Sequence, residues 1–437
     1  MILYIIGFIV VFLLVLASGF PVGFGLGFLA MGILTCYENF DMAMVTGIQK
    51  AHTALNSSVL VAVPLFILAA QLISETGMGK RLFDAAKAFL GRLKAGLGIS
   101  TIVSSGIFSA MTGSSYVAAS TMGLIAIPEL RRAKYPDALT SAAITAGGSL
   151  GAVIPPSIIL IIYGYLTDES IGKLFAAGMV PGVLLIALYS LGMVLCSGSI
   201  GKGGVAPEPD GVPEVEEKVL TKWKALKGSF WGLMAPVIIL GGIYLGIFTA
   251  SEAAGVAVIY CTFVGFFIYK SLNLKKFWGI LKSAANVSAM VAVIVMGGAM
   301  LGYVIIFGRI PHQILEIIIA KDLNPIFLLV IVNIVLFVMG MFLEVLALVY
   351  LAIPLLYPVV LHMGWDNVWF AVIFLLNVNM ALITPPMGGV LFVVSMIGGI
   401  PINTVIKGAI LPIIILILVL ILVVVFPQLA TWLPGFV

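Results

Sequence analysis

The chain has 437 residues, 62% of them hydrophobic and only 9% charged, with a net charge of +4 and a mean hydropathy of +1.24. Ordinary soluble domains carry about 25% charged residues. No soluble core absorbs this much apolar surface, so the composition excludes a soluble protein and requires a polytopic membrane protein. The basic residues sit in short clusters between apolar runs, and nothing in the total charge points to nucleic acid.

Apolar runs of about 20 residues are long enough to cross a bilayer. The first is predicted at 2–19, behind an N-terminus (Met1-Ile2-Leu3-Tyr4) that lacks the basic region of a cleaved signal peptide. Further spans are predicted at 22–36, 57–73, 137–166, 172–197, 229–249, 252–269, 284–307, 366–398 and 408–431. The stretch 198–228 is rich in glycine and proline. It reads as a solvated cytoplasmic linker whose Glu214, Glu216 and Glu217 keep it soluble. Lys80 to Lys94 reads as an amphipathic helix at the inner interface, with Lys270 to Lys282 as its counterpart in the second half. Glu252, three residues after Thr249, reads as part of a helix N-cap.

Two other apolar stretches, 95–130 and 324–361, are bounded differently. Basic clusters occur at Lys80, Arg81, Lys87, Arg92 and Lys94, at Arg131, Arg132 and Lys134, at Lys218, Lys222, Lys224 and Lys227, and at Lys270, Lys275, Lys276 and Lys282. The excess of basic residues in cytoplasmic loops puts all four inside. The stretch 95–130 therefore enters and leaves on the cytoplasmic side. Thr112-Gly113-Ser114-Ser115 at its centre makes a turn, so it is a re-entrant helical hairpin or, satisfying the charges equally well, two short spans. Counting spans from Lys282 puts both ends of 324–361 outside, with Gly340-Met341-Phe342-Leu343-Glu344 as its turn.

Each hairpin is followed by a hydrophobic stretch broken by tandem prolines, Ile154-Pro155-Pro156-Ser157 and Thr384-Pro385-Pro386-Met387. Tandem proline removes two backbone donors and clashes with the preceding turn. Broken backbone at membrane depth is tolerated only where protein or a cavity surrounds it. Paired breaks in two halves of a chain point to a transporter's binding site. The proline pairs are offset by 230 residues, and Ile127-Pro128 is aligned with Ile353-Pro354 at an offset of 226. The four extra residues are placed in the loop around His362-Met363-Gly364-Trp365-Asp366. The expected fold is an all-α polytopic membrane protein of two inverted-topology repeats. The first spans 1–197 (hairpin 95–130, broken span 137–166). The second spans 229–437 (hairpin 324–361, broken span 366–398), and 198–228 joins them.

Cys36, Cys196 and Cys261 lie in or at the ends of apolar runs without metal-ligand spacing, and read as buried, small apolar side chains. His52, His312 and His362 form no recognisable catalytic motif, and there is no His-Glu-x-x-His. A membrane-embedded hydrolase is therefore disfavoured. No Gly-x-x-x-x-Gly-Lys-Ser/Thr sequence occurs, so any transport draws on an ion gradient or a partner.

Four motifs in order carry a family resemblance: Gly113-Ser114-Ser115 followed by Gly123; Gly148-Ser149-Leu150-Gly151 running into the first Pro-Pro; Phe248-Thr249-Ala250-Ser251-Glu252-Ala253-Ala254; and Thr384-Pro385-Pro386-Met387-Gly388. Across essentially its whole length the chain resembles the large membrane subunit of tripartite ATP-independent periplasmic (TRAP) transporters. The resemblance implies an elevator-type secondary transporter of the ion transporter superfamily. It implies sodium-driven uptake of a small organic acid across the bacterial inner membrane. It also implies two protein partners, a small (Q-type) membrane subunit and a periplasmic (P-type) substrate-binding protein, and no cofactor beyond sodium as coupling ion. The alternative is a stand-alone sodium/carboxylate symporter of the same superfamily without a binding protein. Many members carry an acid three positions after Gly-Ser-Ser. Here that position is Ala118, and the 226-residue offset makes Glu344 its counterpart in the second hairpin.

Sodium takes oxygen ligands, and unwound helices offer bare carbonyls. On the family's pattern, a first sodium site is expected from Thr112 and Ser114 with the backbone oxygens of Gly151, Ile154 and Pro156. A second is expected from Gly340, Met380, Thr384 and Pro386. Ser115 and Ser157 are expected to contact the substrate as hydroxyl donors, with an anion at the positive end of a half-helix after a break. Glu344 is expected to contact the substrate through a sugar hydroxyl, to bind a cation or a proton, or simply to cap a helix. Asn377 and Asn379 are expected to satisfy loose backbone groups of the second break. Sialic acid, other sugar acids and C4-dicarboxylates all suit such a site. The absence of arginine inside the hairpins (Arg131 and Arg309 lie outside them) favours a monocarboxylate sugar acid.

Overall fold

The computed structural model describes residues 20–201 and 221–437, and the regular structure among them is helical. The span expected at 2–19, and Glu214, Glu216 and Glu217 of the linker, lie outside the described residues. Eight described helices are long and apolar enough to cross a bilayer, or nine if one bent pair counts as a single span.

The first half begins with α1 (Val22–Tyr37), α2 (Phe40–Leu55), α3 (Ala62–Glu75) and α4 (Met78–Leu90). The sequence reading missed α2. Its Asp41, Gln49, Lys50 and His52 interrupt the apolar run that marks a span, yet Asn39 caps it by accepting from the Met42 N–H. The bend between α3 and α4 is 62°. As expected of an amphipathic helix, α4 buries Met78, Leu82 and Phe83 and exposes Lys80 and Arg81. Then come the hairpin arms α5 (Gly96–Thr112) and α6 (Ser115–Arg132), the broken pair α7 (Asp137–Val153) and α8 (Ile158–Thr167), and α9 (Ile171–Leu195).

The second half holds α10 (Lys222–Tyr244), α11 (Ala250–Phe263), α12 (Leu274–Phe307), α13 (Ile310–Ala320), the arms α14 (Pro325–Phe342) and α15 (Val345–His362), the pair α16 (Asn367–Leu382) and α17 (Gly389–Gly398), and α18 (Ile402–Val425). Residues 222–228, assigned above to the linker, are the first turns of α10. Residues 274–282 are the start of the 34-residue α12 and not a separate interfacial helix. The segment that matches α4 is α13. Thr249 and Glu252 form a capping box at the start of α11, as the sequence indicated. Cys261 is buried as expected, but Cys36 is exposed and Cys196 lies between.

The element boundaries correct the alignment of the halves. α6 starts at Ser115 and α15 at Val345; α7 starts at Asp137 and α16 at Asn367; the prolines are Pro155-Pro156 and Pro385-Pro386. The offset is 230 at each of these points, and the loops 133–136 and 363–366 are equally long, so there is no insertion between hairpin tip and proline pair. Pro128 pairs with Pro358, not Pro354. Glu344 pairs with Ser114, not Ala118.

Polar links order the ends of the molecule. Arg81 lies over the Tyr269 ring at 4.1 Å, the Tyr269 hydroxyl donates to the Gly228 carbonyl, Lys276 pairs with Glu75 at 3.0 Å, and Lys87 pairs with Glu129 at 2.6 Å. The basic clusters therefore share one end. Arg131 there holds Asp137, the first residue of α7, at 3.0 Å. At the other end the Tyr163 hydroxyl donates to Asn367 Oδ1 (2.7 Å), and Asn367 Nδ2 donates to Glu169 (2.9 Å). So α16 starts where α8 finishes, and α7 and α16 run in opposite senses. Both are buried along nearly their whole length. The halves interlock: α18 packs on α7, α17 on α6, α11 on α3 and α12 on α1.

Candidate functional site

The site is built where hairpin tips meet broken helices. Pro155 and Pro156 have no N–H to give the carbonyls four residues earlier, those of Gly151 and Ala152. Among the described residues nothing donates a hydrogen bond to these carbonyls, nor to those of Ile154, Pro155 and Pro156. Ile154 is extended (φ −76°, ψ 123°), which carries the chain out of α7. Both proline pairs are joined by cis peptide bonds.

The first hairpin tip closes on this break. Gly113 turns the chain with φ +62°. Its Cα is so near the break that an added methyl group would stand 2.1 Å from the Pro156 carbonyl oxygen. A methyl group on Gly151 would stand 2.6–2.7 Å from the Ser114–Ser115 peptide. Glycine at both positions is what lets tip and break touch. Ser114 caps α6 by accepting from the Val117 N–H at 3.4 Å. The Thr112 hydroxyl donates to the Phe108 carbonyl at 3.1 Å, which leaves its oxygen lone pairs free. Ser115 and Ser157 are buried, and neither hydroxyl has a partner. Buried polar groups are normally satisfied, so both hydroxyls are free to bond a water or a ligand. The structure thus brings Ser114, Ser115, Gly151 and Pro156 together and sets Thr112 and Ser157 beside them. The Ile154 side chain turns away to pack on Gly106 and Gly182, leaving only its carbonyl to act.

The second break is more self-contained. The Met387 N–H donates to the Met341 carbonyl at the hairpin tip (3.2 Å), and a methyl group on Gly340 would stand 2.5 Å from Ala381 Cβ. The Thr384 hydroxyl donates to the Met380 carbonyl at 2.7 Å, which also accepts from the Ile383 N–H at 3.1 Å. The Met380 carbonyl therefore already accepts two hydrogen bonds and is the least free of the oxygens expected at this break. Thr384 keeps free lone pairs on its hydroxyl oxygen, and no described donor reaches the Gly340 or Pro386 carbonyl. The Glu344 carboxylate accepts from the Leu346 N–H (2.9 Å) and the Ala347 N–H (3.3 Å), so it caps α15 as Ser114 caps α6.

Asn377 and Asn379 do not serve the second break. Asn377 Nδ2 donates to Asn333 Oδ1 at 2.7 Å and to the Ile373 carbonyl at 2.9 Å, tying α16 to α14. Asn379 is fully buried with neither side-chain atom partnered. Sequence reasoning missed Ser105, Ser109 and Thr145, which are buried with unpartnered hydroxyls on the two helices, α5 and α7, that lead to the first tip and break. It also missed Tyr116, whose hydroxyl reaches Gly389 of α17 from the opposite half. A run of serine and threonine through α5 was the available signal for Ser105 and Ser109; Thr145, on α7, and Tyr116 carried none.

An all-helical membrane protein with helices broken in its buried centre, lined by bare carbonyls and unpartnered hydroxyls, is a membrane permease. The chain belongs to the family described as tripartite ATP-independent periplasmic transporter, DctM component, which it matches over residues 9–429. It is accordingly a transport permease and not an enzyme, a multi-pass protein of the bacterial inner membrane. It is 36% identical over 420 residues to the sialic acid TRAP transporter large permease protein SiaM of Vibrio cholerae, covering 96% of each chain. Identity to the C4-dicarboxylate TRAP transporter large permease protein DctM of Pseudomonas aeruginosa is 33% over 379 residues, 86% of each chain. With the isethionate TRAP transporter permease protein DctMQ of Oleidesulfovibrio alaskensis it shares 32% identity over 93% of this chain and 62% of that one. In fold alone it is similar to the Alcanivorax borkumensis YdaH transporter, with a TM-score of 0.61 at 14% identity over 89% of this chain and 90% of that one.

Proposed function

We propose that the chain is the sodium-coupled transport subunit of a tripartite system that takes up a small organic acid. What carries this reading is the contact between the first break and its hairpin tip, where bare carbonyls of Gly151, Ile154 and Pro156 meet the unpartnered hydroxyls of Ser115 and Ser157. One sodium ion is held there with Thr112 and Ser114. A second is held by Gly340, Thr384 and Pro386 at the other break. Ser115 and Ser157 contact the substrate, and Glu344 acts by capping α15 beside it.

The constant 230-residue offset and the opposed directions of α7 and α16 support two inverted-topology repeats, 1–197 and 229–437, with hairpins entering from opposite faces. In the elevator motion we assign, α5–α8 and α14–α17 carry the site past α12 and its neighbours. The partners are a small membrane subunit and a periplasmic substrate-binding protein. A sugar acid such as sialic acid is the favoured cargo. No Lys or Arg lies within 96–130 or 325–361 to clamp a second carboxylate, and one well-covered relative is named for sialic acid.

The test is uptake into proteoliposomes holding this chain with its cognate small subunit and binding protein. Sialic acid, succinate, ectoine and isethionate are supplied in turn under an inward sodium or potassium gradient. Accumulation of sialic acid that needs sodium and the binding protein is expected. Accumulation indifferent to sodium refutes the coupling, and accumulation without the binding protein favours the stand-alone symporter.

A further inference from the structure

A cavity of about 770 Å³ lies away from both breaks, between α2, the end of α8, α12, the start of α13 and α15. It sits at the end of the molecule opposite the basic clusters, where the Tyr357 hydroxyl donates to the Thr167 carbonyl at 3.2 Å. Its volume falls in the range of small-molecule sites, about 300–1,000 Å³. Lys50, Arg309 and His312 line it, and no Asp or Glu does. Lys50 Nζ stands 4.4 Å over the Tyr303 ring. Among the described residues neither Lys50 nor Arg309 has a carboxylate in ion-pair range, whereas His312 faces Glu316 at 3.5 Å. Tyr350 also lines the cavity. Its side chain is fully buried, so its unpartnered hydroxyl is closed off from the chamber. Its ring lies on the α12 backbone, so close that a methyl group on Gly298 would stand 2.4 Å from its Cγ.

Two cations without a carboxylate partner, the half-buried Lys50 and the exposed Arg309, therefore share a largely apolar chamber. We propose that this chamber is a second organic-anion site, distinct from the hairpin tips. A small carboxylate sits between Lys50 and Arg309. The class of ligand rests on reading the chain as an organic-acid carrier; the charge does not.

The experiment needs no transport. Thr53, exposed on the cavity wall, is changed to Cys in a background with Cys36, Cys196 and Cys261 replaced, in phosphatidylcholine nanodiscs. It is labelled with sulfonatoethyl and trimethylammonioethyl methanethiosulfonate, each rate normalised to a free thiol. Clefts lined by one sign of charge raise local counter-ion concentration by about tenfold or more, so the anionic reagent is expected to be favoured by about that factor. Lys50→Gln with Arg309→Gln should bring the ratio near unity. Succinate or sialic acid should slow labelling with the cations present and not without them. In the unaltered protein, either acid should shield Arg309 from phenylglyoxal. Equal rates for both reagents, or a preference that survives the double substitution, overturn the proposal. So does protection by phosphatidylglycerol with none by either soluble acid, because the occupant is then a lipid headgroup. Failed uptake with intact charge selectivity and protection would refute the transport reading and leave this site standing.

Discussion

Replacing Gly113 by alanine isolates the contact between the first tip and its break. Two costs arise. The left-handed φ of +62° costs an L-residue about 1–2 kcal/mol. The new methyl group would stand 2.1 Å from the Pro156 carbonyl oxygen, against 3.4 Å for ordinary contact. Both atoms belong to or sit on backbone, so tip and break must separate, and overpacking of this kind costs about 1–3 kcal/mol. Gly364 provides the control. Its φ is +65°, but no atom lies within 4 Å of a methyl group placed there. The left-handed cost is common to both variants, and only Gly113→Ala meets the clash. With about 1.4 kcal/mol per tenfold, the clash weakens sodium binding by roughly 5- to 150-fold. The sodium concentration for half-maximal uptake into proteoliposomes should rise by that factor in Gly113→Ala and stay within about twofold in Gly364→Ala. Both variants must elute as one species and unfold at similar temperatures. Equal sodium dependence in two such folded variants would refute the reasoning, because the contact would then have no part in ion binding.

Ser114→Ala removes an N-cap worth about 1 kcal/mol as well as the proposed ligand. Ser170→Ala removes a cap of the same 3.4 Å geometry far from the breaks. Only the former should weaken sodium activation of uptake, with expression unchanged in both. Thr384→Ala deletes the hydroxyl bonded to the Met380 carbonyl and should likewise weaken sodium activation without loss of expression; unchanged activation removes Thr384 from the site. Asp137→Ala leaves Arg131, only 6% exposed, without its partner. Breaking a buried pair in this way costs about 3–5 kcal/mol, so thermal unfolding in detergent should fall clearly below the parent's. Gly297→Leu forces a side chain where even a methyl group would stand 2.1 Å from the Gly23 carbonyl oxygen. It should separate α1 from α12 and lower both yield and thermal stability, while Gly279→Leu on the same helix, with open space around it, should lower neither.

Much of the fold was legible because the bilayer makes strong demands. Long apolar runs, basic loop clusters and tandem prolines each have one physical reading at membrane depth. The position of the breaks and the partnership of each with a hairpin tip followed from them. Three things did not. Helix α2 carries Asp41, Lys50 and His52, so its helical pattern is hidden from a search for uninterrupted apolarity. The anion chamber joins Lys50 to Arg309 and His312, residues that only the packing of α2 and α13 around α12 brings together. The register between halves was misread because α15 contains both Pro354 and Pro358, and the dipeptide Ile-Pro favours the wrong one.

That register decides what Glu344 is. Aligned with Ala118 it is an additional acid and a natural ligand. Aligned with Ser114 it occupies the N-cap of the second arm, accepting the same two or three N–H groups that any cap accepts. Its charge then complements the exposed donors and the positive end of α15, leaving less of it for a cation than an unbonded carboxylate would have. The second break differs too: the Thr384 N–H closes on the Ala381 carbonyl at 3.3 Å, whereas its counterpart at the 230-residue offset, the Gly151 carbonyl, is left bare. The two halves therefore share a frame and a register but present unequal oxygens. An ion at the first break meets ready-made ligands. An ion at the second must compete with a helix cap and a closed turn, so the first should fill at the lower sodium concentration, and variants at Gly113 and Ser114 should shift the high-affinity component of activation while Thr384→Ala shifts the low-affinity one. The reverse order would mean that the carboxylate of Glu344 leaves its cap to bind the ion.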